Sequence, residues 1–455
     1  MLLENKMGVM GVRKLLLTMA APMMLSMGVQ ALYHVVDMMF LARVSEYAVA
    51  AVTMSFPAHN LLIGISVGSA VGVNSLAARK FGEKNGAATG KIAAMGFLLC
   101  VFWGVFFLIL SQSAVPWYFN FQTDNPIIVE YGTAYLSVTL ANSAALLTGI
   151  MGERLLTSTG KASLAMAGLL VGAITNIILD PILIFGMFGL PAMGIAGAAY
   201  ATVIAHWLSC GITLALNLKY NKEIKISLRD FAPDLKTIGG IYKIGFPTVV
   251  MGTVGSLAVF VINSILIGFS ETAVAVFGVF FTLQSFIIMP VFGLINAMVP
   301  IVSYNYGAKS PERIISTIRL ALIYAAALTL IGLLVFQIFP AQLLGMYDAD
   351  ANMIAIGVPA LRRLSLNLIF ASVSVILTSS MQALGEGLRS LCATLVRQLG
   401  AMIPSFWLLS LTGILSAVWW AFPIAELVCA IVTALLFMRV YRRKVIPLKA
   451  SGEAV

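Results

Sequence analysis

Charge is what this sequence has least of. Asp, Glu, Lys and Arg together make up 10% of its 455 residues, whereas 60% are hydrophobic. Soluble domains carry about 25% charged residues, because water must wet their surface. A chain this poor in charge cannot clothe a water-facing globule, so lipid has to be the solvent for much of it. Chemical motifs are missing as well. No HExxH pair, nucleophile elbow or phosphate loop is present, and Gly160-Lys161 lacks the upstream glycine and following hydroxyl of a Walker A motif. These absences argue against an enzyme and against ATP-driven work by this chain alone. The four cysteines (Cys100, Cys210, Cys392, Cys429) lie in apolar runs without CxxC spacing. They read as small hydrophobes, with no metal site or disulfide framework indicated. The net charge is +10, but the cations sit in short loops between apolar runs and are not interleaved with aromatics. No nucleic-acid partner is expected.

What the chain does have is a succession of apolar windows, each near or above the roughly 20 residues that a spanning helix needs. They cover about 15–41, 47–77, 92–115, 127–150, 162–188, 192–216, 240–268, 273–303, 316–340, 352–382, 390–411 and 415–438. The first is followed by many others and has no small-residue cleavage site, so it reads as a span and not as a removable signal. An all-α membrane protein of about twelve transmembrane helices is the fold class implied.

Loop charge sets a topology. If both termini are cytoplasmic, only Arg43, Arg362 and Arg363 of the 28 Lys and Arg residues fall on the far side, as the positive-inside rule requires. That count places Arg154, Arg389 and Arg397 among the cations of the cytoplasmic loops. One long polar connector, 217–238, divides the chain into a first lobe of 1–216 and a second lobe of 239–455 with a basic tail. The halves repeat at an offset of about 225. Pro22 pairs with Pro247, Gly82-Glu-Lys84 with Gly307-Ala-Lys309, and Gly160-Lys with Gly385-Glu. Two pseudo-symmetric six-helix lobes follow, and transporters commonly build their sites from such repeats.

Acids at membrane depth are the sharpest chemical signal, since each costs about 2.5–3.5 kcal/mol on insertion scales. Four stand out: Asp37, Glu153, Asp180 and Glu426. Gln30, His34 and Asp37 share one face of the first span. Asn176 and Asp180 share a face of the fifth, where Pro181 removes a backbone donor and invites a bend. Two carboxylates, an amide and a freed carbonyl make an oxygen-rich pocket suited to Na⁺ or a shared proton. Glu153 stands beside Arg154 and reads equally as an interfacial ion pair. Glu426 has no polar companion at helical spacing and reads as structural. In the repeat, Asp37 falls against Ile262 or Asn263, and Ile403-Pro404 keeps the proline of Asp180-Pro181 but not the acid. The second half offers neutral candidates, Gln284, Asn296 and Gln382.

The run Asn176-Ile-Ile-Leu-Asp180-Pro-Ile-Leu-Ile-Phe-Gly186, the stretch Gly194-Ile-Ala-Gly-Ala-Ala-Tyr-Ala-Thr202, and Asp37 with its following Phe-Leu-Ala resemble the multidrug and toxic compound extrusion (MATE) transporters. Glu153-Arg-Leu-Leu-Thr-Ser-Thr-Gly160 is similar to their DinF/MepA-type branch. The resemblance implies two six-helix lobes around a cleft and export of small amphipathic, often cationic compounds in exchange for H⁺ or Na⁺, without another cofactor. It implies a cation site of Asp37, Asn176, Asp180 and Thr202 with Tyr135 nearby, and Glu153 as the branch's glutamate. Pro181 would be a hinge, and Gln30, His34, Gln284 and Gln382 candidate cleft residues. It further implies a monomer spanning the inner membrane of a prokaryote. The sequence lacks a second-half acid in spans seven or eight, which departs from the NorM-like branch. A lipid-linked precursor flippase of the same superfamily is the alternative; such proteins line their cavity with several basic residues.

Overall fold

A helix buried in lipid satisfies its interior backbone hydrogen bonds within itself, and only its ends need outside partners. Those ends show how this chain is built. The computed structural model describes residues 5–347 and 350–448, and among them 88% are helical with no strand. Ser45 caps the helix Glu46–Gly82 by accepting the Ala48 N–H at 3.1 Å, and Ser270 caps Glu271–Gly307 by accepting the Ala273 N–H at 3.1 Å. Asn125 caps Pro126–Ala141 through the Ile127 N–H, and Asp350 caps Ala351–Leu364 through the Met353 N–H. Each pair lies about 225 residues apart, so the duplication extends to the caps.

Ten helices are long and apolar enough to cross a membrane, and two bent helix pairs bring the number to twelve among the described residues. In chain order they are α1 (Val12–Val44), α2 (Glu46–Gly82), α3 (Gly86–Ser113), α4a (Pro126–Ala141) with α4b (Ser143–Ser158), α5 (Ala162–Phe185) and α6 (Gly194–Tyr220). The second set is α7 (Leu235–Ile267), α8 (Glu271–Gly307), α9 (Pro311–Ile338), α10a (Ala351–Leu364) with α10b (Asn367–Ala383), α11 and α12 (Ala421–Lys444). The last but one, α11, runs Gly387–Leu395, loosens into a π-helical stretch over Val396–Met402, and resumes at Ile403–Ser410. The broken spans occupy equivalent places in the two halves and bend by 47° and 41°. The apolar window near 127–150 did not show the break, nor that helix continues to Ser158. Backbone strain repeats too: Lys84 and Lys309, one after each long second helix, both take left-handed φ, at 57° and 54°.

The chain forms two compact units, and their limits fall inside helices and not in the polar connector. One comprises Met1–Val9 and Leu25–Val249; the other comprises Met10–Met24 and Val250–Val455. The first half of α7 therefore belongs to the first unit, and the first half of α1 to the second. Small residues let these halves dock. A Cβ on Gly245 of α7 would lie 2.0 Å from the carbonyl oxygen of Gly68 in α2, and one on Gly293 of α8 would lie 2.6 Å from Cα of Met24 in α1. Close backbone approach of this kind is how helices associate where no hydrophobic drive separates protein from lipid. The second unit's core is aromatic, with Phe277, Phe280, Phe406 and Phe422 meeting edge to face at 5.9–6.1 Å around Phe422.

The connector is docked on the first unit. Asn221 is buried and accepts from Thr159 Oγ1 at 2.8 Å, Lys161 pairs with Glu223, and Lys91 pairs with Asp234 at 2.6 Å. The Lys91 ammonium beside Asp234 holds its carboxyl well below the usual carboxylate range. This ion pair persists above that range and weakens only as pH falls through the lowered value.

Gly245→Val is expected to overpack the α2–α7 contact and cost about 1–3 kcal/mol. Gly239→Ala, where a Cβ meets nothing within 4 Å, should be neutral or stabilising. Thermal unfolding of the two purified variants in detergent separates these outcomes.

Candidate cation site in the first unit

Four helices of the first unit bring the polar residues together. On α5, Asn176 and Asp180 are one turn apart, and both are buried. Asn176 Nδ2 donates to Asp180 Oδ1 at 3.3 Å and to Thr202 Oγ1 of α6 at 3.3 Å. Small residues in the α6 run Gly197-Ala-Ala allow the close approach; a Cβ on Gly197 would lie 2.5 Å from the carbonyl oxygen of Leu183 in α5. Asp37, on α1, is buried, and its carboxyl lies within hydrogen-bonding reach of that of Asp180. Tyr135 of α4a is buried, its hydroxyl within reach of Thr202, in a cluster with Leu41, Ile184, Ile195 and Ala198.

The electrostatics are those of a site short of positive charge. Asp37 Oδ1, Asn176 Oδ1 and Asp180 Oδ2 are all buried without a hydrogen-bond partner among the described residues. Two carboxyls in contact cannot both stay ionised unless a proton or another cation joins them. An amide oxygen, two carboxyls and a hydroxyl form a hard oxygen donor set, of the kind that suits a hydrated-ion replacement better than a soft metal. No group of three or more His, Cys, Asp and Glu gathers to hold a metal among the described residues.

The other sequence candidates fall elsewhere. Glu153 and Arg154 are buried in α4b, 3.9 Å apart, with the Glu153 charge facing Arg154 and not the Asp37–Asp180 pair. Gln30 is half-buried on α1, and the His34 side chain lies outside the described residues. Pro181 sits within α5, which runs as one helix to Phe185. In the second unit, Gln284 donates to Asn367 Oδ1 at 3.3 Å and Gln382 contacts Met251 Sδ at 3.8 Å.

Two corrections concern the second unit. Arg397, counted among loop cations, lies in the π-helical stretch inside α11. Glu426, read as lacking polar company, is wholly buried on α12 and accepts from Arg397 Nε at 2.6 Å. A search along one helix could not find this partner, because it comes from another span. Tyr33 was also passed over. It stands one turn before Asp37 and close enough to both Asp37 and Asp180 to feel their charge; its helical spacing from Asp37 was the available signal.

Among the described residues, twelve spans in repeated sets with paired acids buried inside one set are an architecture that membrane transporters use. The MatE family model matches residues 22–182 and again 247–408, and the chain belongs to the MATE family. It is similar to the multidrug export protein MepA of Staphylococcus saprophyticus, 23% identical over 418 residues that cover 92% of this chain and 91% of the relative. MepA of Staphylococcus aureus is 21% identical over 424 residues, covering 93% of each. A solved outward-facing multidrug resistance MATE transporter of the MOP superfamily superposes with a TM-score of 0.91 at 27% identity over 98% of both chains. A MOP superfamily transporter from Pyrococcus furiosus, described as having reversed binding-pocket polarity, gives 0.89 at 26% identity over 96% of this chain and 97% of its own.

Asn176→Ala removes the one donor to Asp180 Oδ1 among the described residues and should destabilise the protein by about 1–3 kcal/mol, the cost of orphaning a buried acceptor. Thr202→Val, which removes only one of that donor's two acceptors, should cost less. Melting temperatures in detergent would rank the two.

Proposed function

We propose that this protein is a secondary active exporter of small amphipathic, often cationic compounds, driven by antiport of H⁺ or Na⁺ through alternating access. One observation carries the reading: among the described residues three buried oxygens, on Asp37, Asn176 and Asp180, have no hydrogen-bond partner, and two of them belong to a carboxyl pair that needs a cation. Thr202 completes the donor set, and Tyr135 and Tyr33 wall it. The drug-export names of relatives aligned over more than nine-tenths of the chain support the substrate class. Glu153 is proposed as an auxiliary acid tuned by Arg154. Gln30, His34, Gln284 and Gln382 are proposed as cleft residues. The protein acts as a monomer in the inner membrane of a prokaryote, with both termini cytoplasmic.

Energetics fit such a device. A membrane potential of 100 mV supplies about 2.3 kcal/mol per charge moved, and each tenfold gradient of a neutral compound costs about 1.4 kcal/mol. One coupled charge sustains more than tenfold extrusion. The flippase alternative is the weaker reading. Its cavity needs uncompensated cations, whereas Arg154, which is buried, and Arg397, which is partly buried, each face a glutamate.

Asp180→Asn keeps the shape of the side chain and removes its charge, so gradient-driven efflux in liposomes should be lost while the protein remains inserted. Normal coupled efflux by this variant refutes the assignment. Asp37→Asn should likewise be far more damaging than Asn263→Ala at the equivalent place on α7, and equal losses at matched expression would place the ion elsewhere. Imposing pH and Na⁺ gradients separately identifies the driving ion.

Pro181 is proposed as the point where α5 yields when the cation at Asp180 changes. A helix lacking one backbone hydrogen bond has a soft bend angle, and ion binding shifts an equilibrium only through its unequal affinity for the two states. Pro181→Ala should slow turnover and leave equilibrium drug binding intact. Collapse of binding with unchanged efflux would make the proline part of the drug pocket.

A further inference from the structure

Resting on the reading that Asp37 and Asp180 exchange the coupling ion, we propose that Arg397 is a tethered cation filling a latent monovalent-cation site at Glu426, which confines ion exchange to the first unit. In the first repeat the helix pair α5 and α6 carries Asn176, Asp180 and Thr202. The same pair in the second repeat, α11 and α12, carries Arg397 and Glu426. Where one repeat shows no basic partner for its carboxyls among the described residues, the other supplies one covalently.

The geometry goes beyond a structural ion pair. Glu426 is 0% exposed, and both Nε and Nη2 of Arg397 converge on its Oε1. A guanidinium and a carboxylate locked for stability meet as two parallel bonds, fork to fork. Among the described residues Oε2 is left buried without a hydrogen-bond partner, as is Oε1 of the neighbouring Gln398. Further donors line the same face of α12. Cys429 and Thr433 follow Glu426 at helical spacing and contact each other at 3.6 Å, and Ser374 of α10b lies within hydrogen-bonding reach of Cys429. Carboxylate, amide and hydroxyl oxygens thus recur, with the guanidinium as the resident cation. Arg397 occupies the first turn of the π-helical stretch, a rare insertion found mostly at functional sites. Arg397 is partly buried, and a pair whose carboxylate is wholly buried has, for stability alone, no advantage over well-packed apolar residues.

Removing the tethered cation should open the site. Arg397→Gln leaves Glu426 to recruit H⁺ or Na⁺, and Arg397→Lys keeps it filled. Dicyclohexylcarbodiimide modifies carboxyls that carry a proton in apolar surroundings, and mass spectrometry of the full-length protein reads the product at Glu426. Wild type and Arg397→Lys should show only background modification there. In Arg397→Gln it should rise about tenfold or more, the effect of a decade in proton occupancy. Protection by Na⁺ assigns the recruited ion as Na⁺, and its absence as H⁺. In liposomes, Arg397→Gln should couple one additional ion per exported molecule, and Arg397→Gln/Glu426→Gln should return to the wild-type ratio.

Modification of wild-type Glu426 at the rate seen in Arg397→Gln overturns the proposal, as does an unchanged coupling ratio in Arg397→Gln. So does insertion of the double variant where Arg397→Gln alone fails to insert, because the lone carboxylate then recruits nothing. The modification assay can be run with Asp180→Asn present. Failure of the Asp180 assignment and failure of the Glu426 site therefore give separate results.

Discussion

An uncompensated carboxylate cannot remain inside a lipid-embedded helical bundle, and the internal architecture of this protein is organised by how each buried acid meets that constraint. Glu426 has Arg397, delivered from the neighbouring span. Glu153 has Arg154, the next residue in the chain, at the looser distance of 3.9 Å. Asp37 and Asp180 have each other. Two acids face to face do not satisfy the constraint, and among the described residues no basic side chain pairs with either. Under the proposed antiport a proton or Na⁺ from water supplies the balance, and a compensation of that kind can be exchanged.

The duplication makes the contrast readable. Caps at Ser45 and Ser270, left-handed lysines at 84 and 309, and bends in the fourth and tenth spans repeat at nearly constant offset. Scaffold features were kept in both halves because each half must solve the same packing problem. Gly245 meeting Gly68 and Gly293 meeting Met24 show that solution in detail: helix halves approach until backbone touches backbone. The halves diverge at the polar residues. An acid, an amide and a hydroxyl occupy one helix pair, and an arginine and a glutamate occupy its counterpart.

Part of this was legible along the chain. Span number, helical class and the repeat follow from hydrophobic length and from residue spacing, which are local properties. The Asn176–Asp180 pair was legible for the same reason, since a separation of four residues fixes a shared face on any helix. MATE membership, marked by the Asn176–Gly186 run, is likewise a property of consecutive residues.

Other features depended on which helices become neighbours. The Arg397–Glu426 pair joins positions 29 residues apart on different spans, and charge counting alone put Arg397 in a loop. The breaks at Asn142 and near Ser365 leave hydropathy unchanged, so two bent spans looked straight. Unit limits inside α1 and α7 depend on contacts between helices distant in sequence, and no composition shift marks them. The sequence by itself determined that four acids lie within the apolar spans or at their ends. The tertiary structure decided which of them meet an arginine and which meet each other, because electrostatic compensation is a matter of distance in space.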